Sequence, residues 1–253
     1  VPTTTTSPTT TTTPPGYLLD DEFNGSAGSP PDPASWVNVE GTDLGVGSFS
    51  KAANATQDGA GSLDLKIDRE AYHGRAFAGS SIGTYQYQTG WPPNPVKVSF
   101  PVPFKYEVRF KLPNVAGAWI SPGWLQNVDR PTSQNIYELD AGETRTTFPT
   151  FFGANQHTWL NGSDQQAANG GGSGTDGRTN WHVMTLEATS TACRYYLDGT
   201  LVATYYGVSG RFGVQLQSEI ADAGSWGAGG AQPDPSDPGP WDLLIDYVRV
   251  SAL

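Results

Sequence analysis

The sequence predicts an all-β body, and three observations carry the prediction. Several short stretches alternate apolar and polar residues, the period at which successive strand side chains face opposite ways. The chain holds 31 glycines and 20 prolines, enough to punctuate many turns. No stretch sustains a helical period with caps. Strands separated by Gly- and Pro-rich turns, without helices, point to a sandwich or jelly roll.

Taken in order, the chain opens on residues 1–16, which are almost entirely Thr, Pro and Ser. Such a stretch buries no apolar surface and reads as a disordered or O-glycosylated linker. Residues 17–253 are expected to form one domain, large enough for a sizeable core. The linker, together with the polymeric substrate argued below, predicts a secreted or cell-wall-associated protein. Asn24, Asn54 and Asn161 each begin an Asn-x-Ser/Thr acceptor pattern.

The strands follow. Gly61 to Ile67 and Phe104 to Leu112 alternate clearly, as do Val183 to Ala188 and Arg194 to Asp198. Asp198-Gly199 is a hairpin turn leading into Thr200 to Tyr205. Phe212 to Gln217 and Leu244 to Val250 complete the set. The single cysteine, Cys193, excludes an internal disulfide and is read as inert core packing. A net charge of −11 argues against nucleic acid, anionic membrane surfaces and strongly acidic polysaccharides. No run is long and apolar enough for a membrane span, and a monomer is expected.

Chemistry concentrates in Tyr137-Glu138-Leu139-Asp140-Ala141-Gly142-Glu143. On a strand, Glu138 and Asp140 share a face. Glu143 is one residue out of step, and a β-bulge at Ala141-Gly142 returns it to that face. Glycine accepts the backbone angles that a bulge needs. Three aligned carboxylates suit cleavage of a glycosidic bond, which needs one ionised and one protonated carboxyl, roughly 5–5.5 Å apart for retention. Mutual repulsion keeps at least one of them protonated. A calcium-binding loop or a solvated acidic edge is the bland alternative.

In these residues the chain resembles glycoside hydrolase family 16. Glu138 to Glu143 fits its bulged Glu-x-Asp-x-x-Glu signature, as in laminarinase-like members. Asp21-Glu22-Phe23-Asn24-Gly25 resembles the family's opening segment, Tyr196-Leu197-Asp198-Gly199 its hairpin, and Ile245 to Val250 its closing strand. The likeness covers Tyr17 to Val250. It implies a concanavalin A-like β-jelly-roll sandwich with an open cleft on its concave face. It also implies Glu138 as nucleophile, Asp140 as the helper that tunes its neighbours, and Glu143 as general acid/base, with no cofactor for catalysis.

The resemblance further implies sugar platforms at Trp119, in a Gly/Ala loop, and at Trp226; Trp124 is read as either platform or core. His157 and Gln217 are candidate substrate contacts, while Trp36 and Trp181 are assigned to the core and His182 to a structural role. A structural Ca²⁺ is expected on Glu22, the Gly61 carbonyl and Asp246, oxygen donors of the type calcium takes. The alternative is that the two carboxylates simply pair with basic groups. Ala141-Gly142 and Gln217 to Gly224 depart from the family pattern, which leaves specificity open. The expected activity is endo-acting, retaining hydrolysis of a β-1,3- or mixed-linked glucan. A β-galactan or other cell-wall glycan, transglycosylation, and a lectin-like binder without turnover are the alternatives.

Overall fold

The computed structural model describes residues 16–86, 93–129, 136–160, 163–165 and 168–253. The Thr/Pro-rich residues 1–15, Asn135 and the Asn161-Gly162 half of one acceptor pattern lie outside the described residues. Nearly all regular structure is strand; two single-turn 3₁₀ helices, Ala52–Asn54 and Trp226–Ala228, are the exceptions among the described residues.

The strands form two sheets. One runs in the order β16 (Thr200–Tyr206), β15 (Ala192–Leu197), β14 (His182–Ala188), β8 (Phe104–Lys111), β18 (Trp241–Ala252), β5 (Leu63–Ile67) and β4 (Ala55–Gln57). An eighth strand, β1 (Tyr17–Asp21), pairs with β18. The other sheet has ten strands. Its main path is β12 (Ser163–Asp164), β11 (Phe151–Leu160), β10 (Ile136–Arg145), β9 (Ala118–Asn127), β17 (Arg211–Ile220), β6 (Ala78–Gly83) and β2 (Val37–Asn38). β13 (Ala168–Ser173) joins β11, β3 (Phe49–Ser50) joins β6, and β7 (Phe100–Pro101) joins β17. All pairings are antiparallel except β3 with β6.

Alternation explains the eight-stranded sheet. In β8, Phe104, Tyr106, Val108 and Phe110 are buried while the residues between them are partly exposed. β5 and β14 follow the same rule. In β18 a register shift between Ile245 and Tyr247 sets Asp246 aside as a bulge, so Ile245 and Val248 both reach the core. Apolar residues of both sheets meet in one cluster, with Phe110 5.7 Å from Phe152 and Phe104 5.7 Å from Phe212 between ring centroids. Burial of this apolar area is the main stabilising contribution. Cys193 and Trp36 are buried as expected. Trp181 is not core: its ring is half-buried beneath the charged ends of Arg109 and Lys111, at 4.8 and 5.7 Å. His182 is structural, buried with its Nδ1 2.7 Å from Asp198 Oδ2.

The ten-stranded sheet departs from simple alternation at its centre. Ala118 to Asn127, expected as a loop carrying Trp119, is a regular strand. Gly117, Pro122 and Gly123 conceal it in the sequence, yet each has a structural reason. A side chain at Gly123 would collide with the Tyr106 ring, whose hydroxyl donates to the Pro122 carbonyl at 2.6 Å.

The bulge at β10 is present and it is matched. Against β11, Ala141 faces Ala154 and Glu143 faces Gly153, which leaves Gly142 as the extra residue. Against β9 the register is unbroken from Glu138–Gln126 to Arg145–Trp119, because β9 carries its own extra residue at Pro122-Gly123 relative to β17. The two insertions touch: Gly142 has φ +94°, and a Cβ there would lie 3.0 Å from Pro122 Cγ.

Candidate active site

Leu139 and Ala141 turn into the core. Glu138 and Asp140 therefore face away from it, and the Gly142 bulge returns Glu143 to their side. Strands β9 and β11 flank this row and place polar side chains opposite it: Gln126 and His157 across from Glu138, Trp124 and Asn155 across from Asp140.

Each carboxylate has a different environment. Glu138 Oε2 accepts from Gln126 Nε2 at 2.6 Å and from the Trp159 indole N–H at 3.2 Å. Asp140 is 1% exposed, and its Oδ1 has no hydrogen-bond partner. Burial, then the charges of Glu143 and Glu138, push its carboxyl well above the usual carboxylate range. Glu143 accepts from Asn155 Nδ2 at 2.8 Å. Burial raises its carboxyl to about 8, the Asn155 bond opposes the shift, and Glu138 adds to it.

His157 stands beside the row. Its Nε2 is 3.5 Å from Asp140 Oδ2 and its Nδ1 2.8 Å from Asp164 Oδ2, so β12 fixes the ring from behind. Glu138, Asp140 and His157 bring one donor atom each within 4.8 Å of one another, the one such grouping among the described residues that could hold a metal ion.

The Glu143 end of the row opens into a cavity of about 370 Å³ also lined by Asn155, His157, Trp119, Trp226 and Arg145 among others. Trp226 is 61% exposed and meets Trp119 edge-on, with centroids 4.3 Å apart. Exposed indole beside a carboxylate row offers a flat apolar surface to a sugar ring. Trp119, Trp226 and His157 are thus brought together with Glu143.

Two expected contacts are not in that cavity. Trp124 is half-buried opposite Asp140. Gln217 is 5% exposed, and its amide donates to the Leu44 carbonyl and to Glu219 Oε1, both at 2.8–2.9 Å. The segment around Leu44 to Ser48 covers this part of the sheet, so Gln217 is tied to structure and not offered to a hydroxyl. The expected calcium ligands do not fit a cation site as arranged. Glu22 is held by Arg249 at 2.6 Å, and Asp246 pairs with Arg109. Both carboxylates already have a positive partner.

Gln126, Asn155, Trp159 and Asp164 were not anticipated. Asn155, His157 and Trp159 alternate along β11, a signal readable only after the β10–β11 register is fixed.

No family model matches the chain. A β-glucanase of Rhodothermus marinus is 25% identical over 259 residues, 92% of this chain and 84% of that protein. The Glu-x-Asp-x-x-Glu row on its bulged strand, together with that relative, supports a likeness to the laminarinase-like proteins of glycoside hydrolase family 16. A keratan-sulfate endo-1,4-beta-galactosidase of Sphingobacterium multivorum is 28% identical over 262 residues; this chain spans 55% of its length. Among solved structures, the laminarinase of Rhodothermus marinus superposes with a TM-score of 0.75 at 24% identity, covering 94% of this chain and 97% of that one. The endo-beta-1,3-glucanase of Pyrococcus furiosus gives 0.74 at 20% identity, covering 93% and 94%. These likenesses show the jelly-roll fold.

Proposed function

We propose that the protein is an endo-acting, retaining β-glycanase that acts on a β-1,3- or mixed-linked glucan. The observation that supports this best is the row itself: Glu143, held protonated to about 8, shares one strand face with Glu138, whose Oε2 accepts two N–H bonds. A retaining enzyme needs a proton donor and a second carboxyl group placed on the same side.

In the first step Glu143 gives its proton to the glycosidic oxygen as that bond breaks. A Glu138 oxygen bonds to the anomeric carbon, forming a glycosyl-enzyme. In the second, Glu143, now ionised, takes a proton from water as the water oxygen attacks the same carbon and releases Glu138. Asp140, raised well above the usual range, holds a proton between the two and limits the negative charge that accumulates. Trp226 supplies the exposed stacking face for the sugar, backed edge-on by Trp119, which is largely buried against Ala221 and Ala228. The Thr/Pro-rich linker and a polymeric substrate support a secreted or cell-wall-associated enzyme.

The test is reducing-end release from laminarin, lichenan, β-galactan and agarose by wild type and Glu138→Gln, with the first-formed anomer read by proton NMR. Cleavage of a glucan to the β-anomer, lost in Glu138→Gln, is expected. A first-formed α-anomer overturns retention, and binding without turnover on every glycan overturns the hydrolase. Cleavage of β-galactan alone would favour the second reading, which the similarity to the Sphingobacterium galactosidase supports.

A further inference from the structure

Arg145 lies two residues beyond Glu143 on β10, after the bulge, and so shares its face. Strand geometry places it about 6.8 Å further along. It lines the same cavity as Trp119 and Trp226. Its Nη1 makes a long contact, 3.4 Å, with the Trp226 carbonyl, and its guanidinium carbon stands 5.2 Å from the centre of the Phe148 ring. That leaves most of its five N–H donors uncommitted to protein acceptors.

What sets Arg145 apart is its place. The protein carries a net charge of −11. Arg75, Arg109, Arg178 and Arg249 each pair with one or more carboxylates. Among the described residues Arg69, Arg145, Arg194 and Arg211 form no ion pair, and of these four Arg145 lines the cavity beside the carboxylate row. An unpaired guanidinium next to three carboxylates that would repel an anionic sugar is suited to offsetting that repulsion. Its planar fork matches an oxyanion with two parallel hydrogen bonds, whereas neutral hydroxyls are served equally well by amides such as Asn155.

We propose that Arg145 forms an anion-recognising subsite, so that the favoured substrate carries a sulfate ester or carboxylate on a sugar neighbouring the cleaved bond. The proposal rests on the glycanase reading and names a substrate class within it. It departs from the expectation drawn from net charge, which averages over the whole surface and says nothing of the sign inside one cavity.

The experiment uses laminarin and β-galactan, each in neutral, partly sulfated and carboxymethylated form, with wild type, Arg145→Gln and Arg145→Lys. Wild type is expected to show kcat/KM about tenfold higher on one charged form than on its neutral backbone, the scale of a charge-assisted hydrogen bond. Which charged form is preferred separates sulfate from carboxylate. Arg145→Gln should bring the charged-to-neutral ratio to about one, Arg145→Lys should fall between, and added salt should lower the ratio in wild type. A wild-type ratio of one or less for both charged forms, or a ratio unchanged in Arg145→Gln, overturns the proposal. Retardation of the same glycans in affinity gels decides the anion preference even if no backbone is cleaved, an outcome that would sink the glycanase reading instead. Melting temperatures confirm that the variants are folded.

Discussion

Asn155 donates to Glu143 from a strand position directly across from Asp140, its Nδ2 2.8 Å from Glu143 Oε2. One amide from β11 thereby opposes the burial that drives Glu143 upward. Removing it leaves burial and Glu138 unopposed. In Asn155→Ala the alkaline limb of the kcat/KM–pH profile, set by loss of the Glu143 proton, should move to higher pH. A limb that stays in place or moves down would show that another group sets it.

Glu143 also links stability to pH. Its ordinary value is 4.5 and its folded value about 8. Below 4.5 both folded and unfolded chains carry the proton. Between 4.5 and about 8 only the folded chain keeps it, so stability falls as pH rises, by about 1.4 kcal/mol per pH unit at most for one such group. Buried Glu219, likewise raised to about 8 by burial, contributes in the same window and the same direction. Glu143→Gln is therefore expected to melt higher than wild type at pH 8 and to match it more closely at pH 4. Parallel melting curves across the range would refute the linkage.

The bulge is sensitive to a single methyl group. Gly142 has φ +94°, where a side chain is strained, and a Cβ would lie 3.0 Å from Pro122 Cγ. Gly142→Ala should cost about 1–3 kcal/mol by chemical denaturation. It should also lower kcat by more than it changes KM, because Glu143 is displaced from the reacting bond. A variant with wild-type kcat would show that the row tolerates the shift.

Asp164 holds the His157 ring, and its charge adds only the last and least of the pushes on Asp140, so its main effect should pass through the ring. Asp164→Asn is expected to reduce kcat by about tenfold, the scale of losing a partner that orients a histidine. In His157→Ala the further Asp164→Asn change should have little effect. Additive losses in the double variant would separate the two residues.

Much of the fold is legible in the sequence wherever one face of a strand is buried and the other wet. β8, with Phe104, Tyr106, Val108 and Phe110 inward, is the plainest case. β9 is concealed because almost every residue from Ala118 to Asn127 is buried, which erases alternation, and because Pro122 and Gly123 resemble a turn. The carboxylate row is legible from spacing plus one glycine. The groups that set its protonation are not, since Gln126, Asn155 and Asp164 arrive from other strands and only register brings them together. Trp181 misled for another reason: a large aromatic beside a strand start suggests core, yet here it lies beneath two cations.

The matched insertions in β9 and β10 bear on how such a site changes over generations. Losing Gly142 alone would restore even pairing with β11 while throwing β10 out of step with β9, carrying Arg145 away from Trp119. Losing one residue at Pro122-Gly123 at the same time would restore that step. The two positions, twenty residues apart in the gene product, behave as a single hereditary character. One-codon deletions in this lineage should survive in pairs or not at all.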